Sequence, residues 1–307
     1  MPRQTVAGLS GPAAGYALLS PAMLIIAAML VAPMLALVTL SFWTQNGFEL
    51  DTSFTLANYW ALIEPADEPT MWMGIPFPFK NPVYAILMLK SLVMSLAVTA
   101  AVILIAYPMA YFLAFRVTRY KALWIIIITI PFWTSYLIRV FLWKVILGFN
   151  GVINSGLMSL GIIDAPLTAI NYNVQALVVT LAHAYAPFAI LPIFVALEKI
   201  DRSFLEAGRD LGESQFMTFL RVTLPLSMPG VIAAVLIVFI PTVGDYVTPD
   251  LIGGGKLPMI ANRIEGTMLK QNNREVGSAI AVSAMLVVAA VTLIFLLLNR
   301  RFLRGQK

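Results

Sequence analysis

Apolar residues run along this chain in blocks too long and too even for a soluble fold. Six of them, Ala17–Phe42, Leu87–Phe115, Ala122–Leu147, Val174–Leu197, Gly230–Ile252 and Ser278–Leu298, carry few charges. A helix of about 20 such residues crosses a hydrocarbon layer of about 30 Å. The pattern predicts an all-α membrane protein with six transmembrane helices. Prolines fall inside the blocks at Pro33, Pro108, Pro131, Pro187, Pro192 and Pro241. Membrane helices tolerate them where neighbours take up the freed backbone groups. The first block is too long for a signal-peptide core, so it is expected to stay attached behind a short head containing Arg3.

The polar segments set an orientation. Arg116, Arg119 and Lys121 precede the third block, and Lys199, Arg202, Arg209 and Arg221 precede the fifth. Arg300, Arg301, Arg304 and Lys307 close the chain. The segment after the first block instead holds Glu49, Asp51, Glu64, Asp67 and Glu68 against Lys80. Basic loops stay inside, so both termini, Thr118 and Ser214 are expected in the cytoplasm, with Thr70, Asn154 and Asn272 outside. Lys256, Arg263, Lys270 and Arg274 lie in a loop that an even helix count puts outside. Glu265 and Glu275 are interspersed there, and the other loops outvote it. The expected organisation is a cytoplasmic head 1–16, a first membrane helix 17–42, an external loop 43–86, a core 87–299 and a basic cytoplasmic tail 300–307.

Composition narrows the chemistry. Of 307 residues, 60% are hydrophobic and 11% charged, against about 25% charged in an ordinary soluble domain. A lipid bilayer must therefore supply much of the solvent. There is no cysteine, which excludes disulfides and thiol chemistry. One histidine, His183, leaves little for a metal site or a nucleophile–base pair. The chain is thus expected to be no enzyme and to hold no metal, and His183 to make a helix–helix hydrogen bond. The net charge of +5 is dispersed among apolar runs and reports topology, not nucleic acid.

The loop between the fourth and fifth blocks, 201–225, reads as two short helices at the membrane surface. Ser203 and Glu206 have the spacing of a capping box. Gly212 can end the first helix in a left-handed turn, and Ser214 can start the second. Leu205, Leu211, Phe216 and Phe219 give the hairpin an apolar face, and Glu206, Arg209, Asp210 and Glu213 a charged one.

Glu206-Ala207-Gly208, then Gly212, then Val222-Thr223-Leu224-Pro225 resembles the glutamate-alanine-alanine signature of bacterial ABC importer permeases. Five of the seven defined positions are identical, Gly208 replacing alanine and Val222 isoleucine. In that family the hairpin is a coupling helix that docks on a cytoplasmic ATPase. The resemblance implies a core of five helices behind a peripheral first helix, and ATP and magnesium bound by an ATPase dimer with no cofactor here. It also implies a second permease subunit, identical or homologous, and an external solute-binding protein, in a bacterial inner membrane. Glu206, Ala207, Gly208, Gly212, Leu224 and Pro225 are the coupling residues it points to.

The likeness extends over most of Leu87–Asn299. Pro131-Phe-Trp-Thr-Ser-Tyr-Leu-Ile-Arg139, Ala184-Tyr-Ala-Pro-Phe188 and the run Ile240–Gly254 are similar to permeases that import spermidine and putrescine. They imply a polyamine-like substrate, or another small solute of the same subfamily.

An ionisable group inside a span is a candidate site because burying it in lipid is costly. Asp245 and Asp250 are the acids so placed, and Pro241, Gly244 and Pro249 are expected to interrupt their helix. Asp245 with Tyr246 suits an ammonium group, by charge and by cation–π attraction; the alternative is a structural pair with Arg139 or Lys144. Trp133, Tyr136 and Tyr185 are candidates for the pathway wall, or for bland packing. Arg139 and Lys144 sit where basic side chains snorkel toward an interface. Gly253-Gly-Gly-Lys256 lacks the spacing and setting of a phosphate loop. A stand-alone secondary transporter or channel would require an internal repeat with paired broken helices, and only one break is evident.

Overall fold

The computed structural model describes residues 12–46, 49–170 and 172–304. The head's Arg3 and the tail's Lys307 lie outside the described residues. Six helical stretches among them are long and apolar enough to cross a membrane: Gly15–Ser41, Val83–Phe115, Tyr136–Ser159, Val174–Glu198, Gln215–Val243 and Arg274–Leu298.

Helix α1 (Pro12–Ser41) is exposed over most of its length. Its end is tied down by α2 (Ala57–Ile63), where Asn58 Nδ2 donates to the carbonyls of Ser41 at 3.0 Å and Trp43 at 2.7 Å. Two antiparallel hairpins occupy the first loop, β1 (Thr44–Asn46) with β2 (Glu49–Asp51), and β3 (Pro65–Trp72) with β4 (Ile75–Phe79). Only Met73 and Gly74 link β3 to β4, both at positive φ, as the tightest hairpin turns demand.

Three helices make the centre: α3 (Val83–Phe115), α7 (Val174–Glu198) and α10 (Leu224–Val243). Val98 and Val102 of α3, Leu177 and Ile193 of α7, and Ala234 and Val238 of α10 are fully sealed from solvent. Small residues let the backbones approach, as expected where van der Waals packing drives association in lipid. A Cβ added at Gly230 would lie 2.5 Å from the Pro192 carbonyl oxygen and from Ala196 Cβ. A buried hydrogen bond of 2.8 Å between the hydroxyls of Tyr107 and Ser227 joins α3 to α10.

The third pass is not the single helix expected from Ala122 to Leu147. Helix α4 (Lys121–Thr129) runs into a 3₁₀ turn (Ile130–Trp133), Thr134 is extended, and α5 (Tyr136–Leu147) starts afresh. Pro131 lacks the N–H that would continue the ladder. After Gly148 the short α6 (Val152–Ser159) follows.

The fifth pass begins well before Gly230. Helix α8 (Arg202–Asp210) turns into α9 (Gln215–Thr218), and a wide π-type turn (Phe219–Thr223) carries α9 directly into α10. Leu224 N–H bonds the Phe219 carbonyl five residues back, just before Pro225, whose ring crowds a regular turn. The break expected near Gly244 is present, and α11 (Val247–Gly253) follows it. Helix α12 (Ile260–Glu265) and a second wide turn lead to α13 (Arg274–Leu298), which packs along α1, and then to α14 (Arg300–Arg304).

Asn154, expected at an exposed outer loop, is fully buried. Its amide donates to the carbonyls of Gly148 and Phe149 and accepts from Leu167 N–H. That loop is better probed at Leu160, which is 74% exposed. On this cysteine-free chain, Thr70→Cys, Leu160→Cys and Asn272→Cys are expected to react with a membrane-impermeant thiol reagent in intact cells. Thr118→Cys and Ser214→Cys are expected to react only after permeabilisation. Labelling at position 214 in intact cells would reverse the orientation.

Candidate functional site

Two clusters stand out: a polar knot where two broken passes meet, and the hairpin formed by α8 and α9.

The knot is built from the residues the breaks leave unbonded. Asp245 lies in the gap between α10 and α11 and is only 7% exposed. Its Oδ1 accepts from the N–H groups of Val247 at 3.0 Å and Thr248 at 3.3 Å, capping α11. Its Oδ2 accepts from the Tyr136 hydroxyl at 2.7 Å. The Tyr136 hydroxyl also lies 2.6 Å from Thr248 Oγ1, so one phenol on α5 grips both the carboxylate and the helix it caps. Tyr246 O accepts from Asn262 Nδ2 at 2.8 Å, which satisfies a further carbonyl in the gap.

Arg139 serves the other break. Expected to snorkel at a span end, it is instead only 9% exposed. Its guanidinium donates to the carbonyls of Thr134, the extended residue, at 3.3 Å and of Ala184 on α7 at 3.1 Å. It also lies 5.7 Å from the Phe132 ring centroid. The pairing of Asp245 with Arg139 or Lys144 is therefore absent from the ion pairs formed among the described residues. Both groups find backbone partners closer to hand.

Aromatic rings pack beside the knot. Tyr185 stacks obliquely on Tyr136 at 6.4 Å and on Phe188 at 6.1 Å, and Phe188 meets Phe132 edge-on. Tyr246 is 47% exposed beside the knot. The structure thus brings Tyr136, Tyr185 and Tyr246 to Asp245. Trp133, 87% exposed, and the exposed Asp250 stand outside the hydrogen bonds of the knot. Thr248, Phe132 and Phe188 were not singled out from the sequence. A threonine three residues after Asp245 is the one signal available there, since the first turn of a capped helix holds such a position. Trp143 Nε1 donates to His183 Nδ1 at 3.1 Å, the helix–helix bond expected of His183.

The hairpin differs from expectation at its start. Asp201, not Ser203, caps α8: its Oδ1 accepts from Ser203 N–H at 3.0 Å. That backbone bond holds the Asp201 carboxyl below the usual carboxylate range. Helix α8 begins at Arg202, so Ser203 already lies inside its first turn. The far end follows the expected plan. Gly212 has φ +82°, and Glu213 N–H bonds the Gly208 carbonyl at 3.1 Å, the six-to-one bond of a Schellman cap. Ser214 Oγ accepts from Met217 N–H at 3.3 Å to start α9.

The motif residues divide by task. Glu206 and Ala207 are exposed on α8, while Gly208 is buried against Thr218, where a Cβ would meet the threonine methyl at 3.2 Å. Glycine in place of the motif's alanine thus fits the closeness of α8 to α9. Leu224 and Pro225 are half-buried at the start of α10. The expected apolar face splits in two. Leu205 and Phe219 turn inward, Phe219 edge-on to Tyr107 at 5.6 Å and to Tyr111 at 6.2 Å. Leu211 and Phe216 remain 85% and 68% exposed, joined by Phe204. Glu213 pairs with Arg221 at 2.8 Å; the side chain of Arg209 lies outside the described residues.

The family described as "Binding-protein-dependent transport system inner membrane component" matches residues 17–305. A spermidine/putrescine transport system permease protein, PotB, of Haemophilus influenzae is 38% identical over 225 residues, 72% of this chain and 78% of the relative. PotB of Escherichia coli K12 is 33% identical over 264 residues, covering 86% and 90%. An inner membrane ABC transporter permease protein of E. coli, YdcU, is 33% identical over 233 residues, covering 72% and 69%. Among solved structures, a bacterial ABC transporter involved in the import of the acidic polysaccharide alginate superimposes with a TM-score of 0.62 at 16% identity, covering 95% and 96%. The alginate transporter in complex with its periplasmic protein gives 0.67 at 17%, covering 94% of each chain. These two share the fold.

The hairpin geometry yields a test. Nothing lies within 4 Å of a Cβ added at Gly212, so only backbone strain opposes a side chain there. A β-branched residue at positive φ is strained by about 1–2 kcal/mol or more, whereas asparagine adopts the left-handed turn readily. In the purified permease, Gly212→Val is expected to speed proteolytic cleavage within 201–214 several-fold, and Gly212→Asn to leave it near wild type. Equal resistance of the valine variant would show that the turn does not hold the hairpin.

Proposed function

This chain belongs to the binding-protein-dependent transport system inner membrane components, the multi-pass permease subunits of ABC importers, and we propose that it carries a polyamine-like cation past Asp245 while its α8–α9 hairpin couples to a cytoplasmic ATPase. It forms half of the solute pathway of a multi-subunit importer. The partners proposed for it are a dimer of ATPases binding ATP and magnesium, a second permease and an external solute-binding protein. The core is preceded by α1, which lies along α13 and leaves most of its apolar surface uncovered, as suits a peripheral helix.

The observation that carries the substrate reading is a buried carboxylate at a helix break, with phenol and phenyl rings on its approach. Such a group holds an ammonium by charge, and the rings add cation–π attraction and strip water from the methylene segments of a polyamine. The names of the relatives, spermidine/putrescine permeases, support the same class. In the state described here Tyr136 occupies Oδ2. The proposed step exchanges that phenol for an ammonium N–H donor as the two broken passes rock apart, while Oδ1 keeps capping α11.

Coupling is proposed to be mechanical. Exposed Phe204, Leu211 and Phe216 beside Glu206 give α8 and α9 an apolar, acidic surface suited to a groove on an ATPase. Because α9 runs into α10 without a loop, a pull on the hairpin moves the span that ends at Asp245. Rigid-body rocking of this kind converts ATPase closure into alternating access.

A second reading has an observation of its own: the three bonds to Asp245 make it a structural staple. Asp245→Asn separates the two, because an asparagine oxygen still caps α11 while the charge is gone. Polyamine uptake by the assembled importer is expected to fall about ten- to a hundredfold, the worth of a charge-assisted contact. Complex recovery is expected to stay near wild type. Normal uptake would remove Asp245 as the grip; loss of the folded complex would favour the staple alone.

A further inference from the structure

The run Gly253-Gly-Gly-Lys256 lacks the setting of a phosphate loop, yet its geometry is demanding. Helix α11 ends at Gly253, and Gly254 and Gly255 follow at φ +55° and +76°. Lys256 N–H closes the turn on the Gly253 carbonyl at 3.0 Å. The ring of Tyr172 is seated on Gly254: a Cβ built there would collide with Cδ1 and lie 2.9 Å from Cε1 and 3.2 Å from Cγ. A Cβ built on Gly255 meets nothing within 4 Å. We propose that Tyr172 is the outer clasp of α11: it holds that helix against α5 and α7, and its release from Gly254 lets α11 carry Asp245 away from Tyr136. The part given to it in transport rests on the reading of Asp245 above; its test does not.

The clasp has a fixed base. Tyr172 has φ +52°, a conformation that a residue other than glycine keeps only where its surroundings impose it. The next residue, Asn173, caps α7, its Oδ1 accepting from Ala176 N–H at 2.8 Å. The ring is thus held out from the start of a central helix.

What it holds is built to move. Helix α11 has 7 residues and non-helical backbone on both sides. Its inner end is tied to α5 by the Tyr136 hydroxyl, which bonds Asp245 Oδ2 and lies 2.6 Å from Thr248 Oγ1. Its outer end is held by packing. Tyr172, Leu147 of α5, Ala176 of α7 and Leu251 and Ile252 of α11 enclose a space of about 10 Å³, the least that admits one water. A short rod held at both ends does not leave its bed until both holds yield. Exchange of the Tyr136 phenol for an ammonium therefore depends on the outer hold as well. A ring on a bare glycine is joined by dispersion alone, with no hydrogen bond to break at each release.

Thr248 reports the motion, because it is fully buried at the inner end of α11, where that helix meets α5. Thr248→Cys is introduced into the assembled importer in lipid nanodiscs, without nucleotide or solute, and its rate of reaction with a small thiol reagent is measured. Both faces are open to the reagent, so orientation does not enter. Adding Tyr172→Ala is expected to speed the reaction several-fold, and Tyr172→Phe, which keeps the ring, to leave it unchanged. Gly254→Ala displaces the ring and is expected to match Tyr172→Ala, with the two combined no faster than either. Gly255→Ala bears the same positive φ in open space and is expected to stay slow. An unchanged rate in Tyr172→Ala would overturn the clasp. Equal acceleration by Gly254→Ala and Gly255→Ala would do so too, by assigning the effect to strain in the turn. Loss of the complex in Tyr172→Ala and Gly254→Ala, but not in Gly255→Ala, would make the contact a folding element instead. Failure of Asp245→Asn to reduce polyamine uptake bears on the grip alone, since no solute enters this measurement.

Discussion

A backbone that leaves its helix inside an apolar layer must find partners for its N–H and C=O groups, and the rest of this structure is arranged around that demand. The third and fifth passes are both broken, at Ile130–Ser135 and at Gly244–Tyr246. Each break is repaired by a charged side chain: Arg139 donates to the Thr134 carbonyl, and Asp245 accepts from two N–H groups of α11. Tyr136, the first residue of the helix that restarts the third pass, ties the two repairs together. A carboxylate and a guanidinium are thereby held near one another without pairing. The hydrogen bonds that each makes run to neutral groups, backbone amides and carbonyls and the Tyr136 hydroxyl.

The same economy of connection appears at the other end of the fifth pass. The Schellman turn at Gly212, the Ser214 cap and the close seat of Gly208 on Thr218 make the hairpin a compact lever. Phe219 sets its base between Tyr107 and Tyr111 of α3. The lever continues through the wide turn into α10, whose far end opens onto the knot. The stretch from α9 through α10 thus links the hairpin at one end to the break beside Asp245 at the other.

Much of this was legible in the residues. The six apolar blocks, the two-helix hairpin, the left-handed turn at Gly212 and the interruption beside Asp245 all rest on local rules of length, capping and glycine geometry. What local rules do not carry is which groups meet across helices. Arg139 resembled a snorkelling cation because its sequence neighbours place it near a span end, yet the break at Pro131 folds it inward to the carbonyls that break exposes. Asp201 displaced Ser203 as the cap because α8 starts two residues earlier than the spacing of Ser203 and Glu206 suggested. The two hairpins of the first loop depend on pairing between short polar strands such as Thr44–Asn46 and Glu49–Asp51, and these lack the alternation that marks a half-buried sheet.

The central claim is that a polyamine cation reaches Asp245 along the rings beside it. Tyr246 stands at that approach and is 47% exposed, and the chain has no cysteine of its own. The direct measurement is the rate at which Tyr246→Cys, in the assembled importer with its solute-binding protein, reacts with a small thiol reagent with and without saturating spermidine. Slower reaction in spermidine, with no change for Leu160→Cys at the exposed end of α6, is the result predicted. An unchanged rate at position 246 would contradict it.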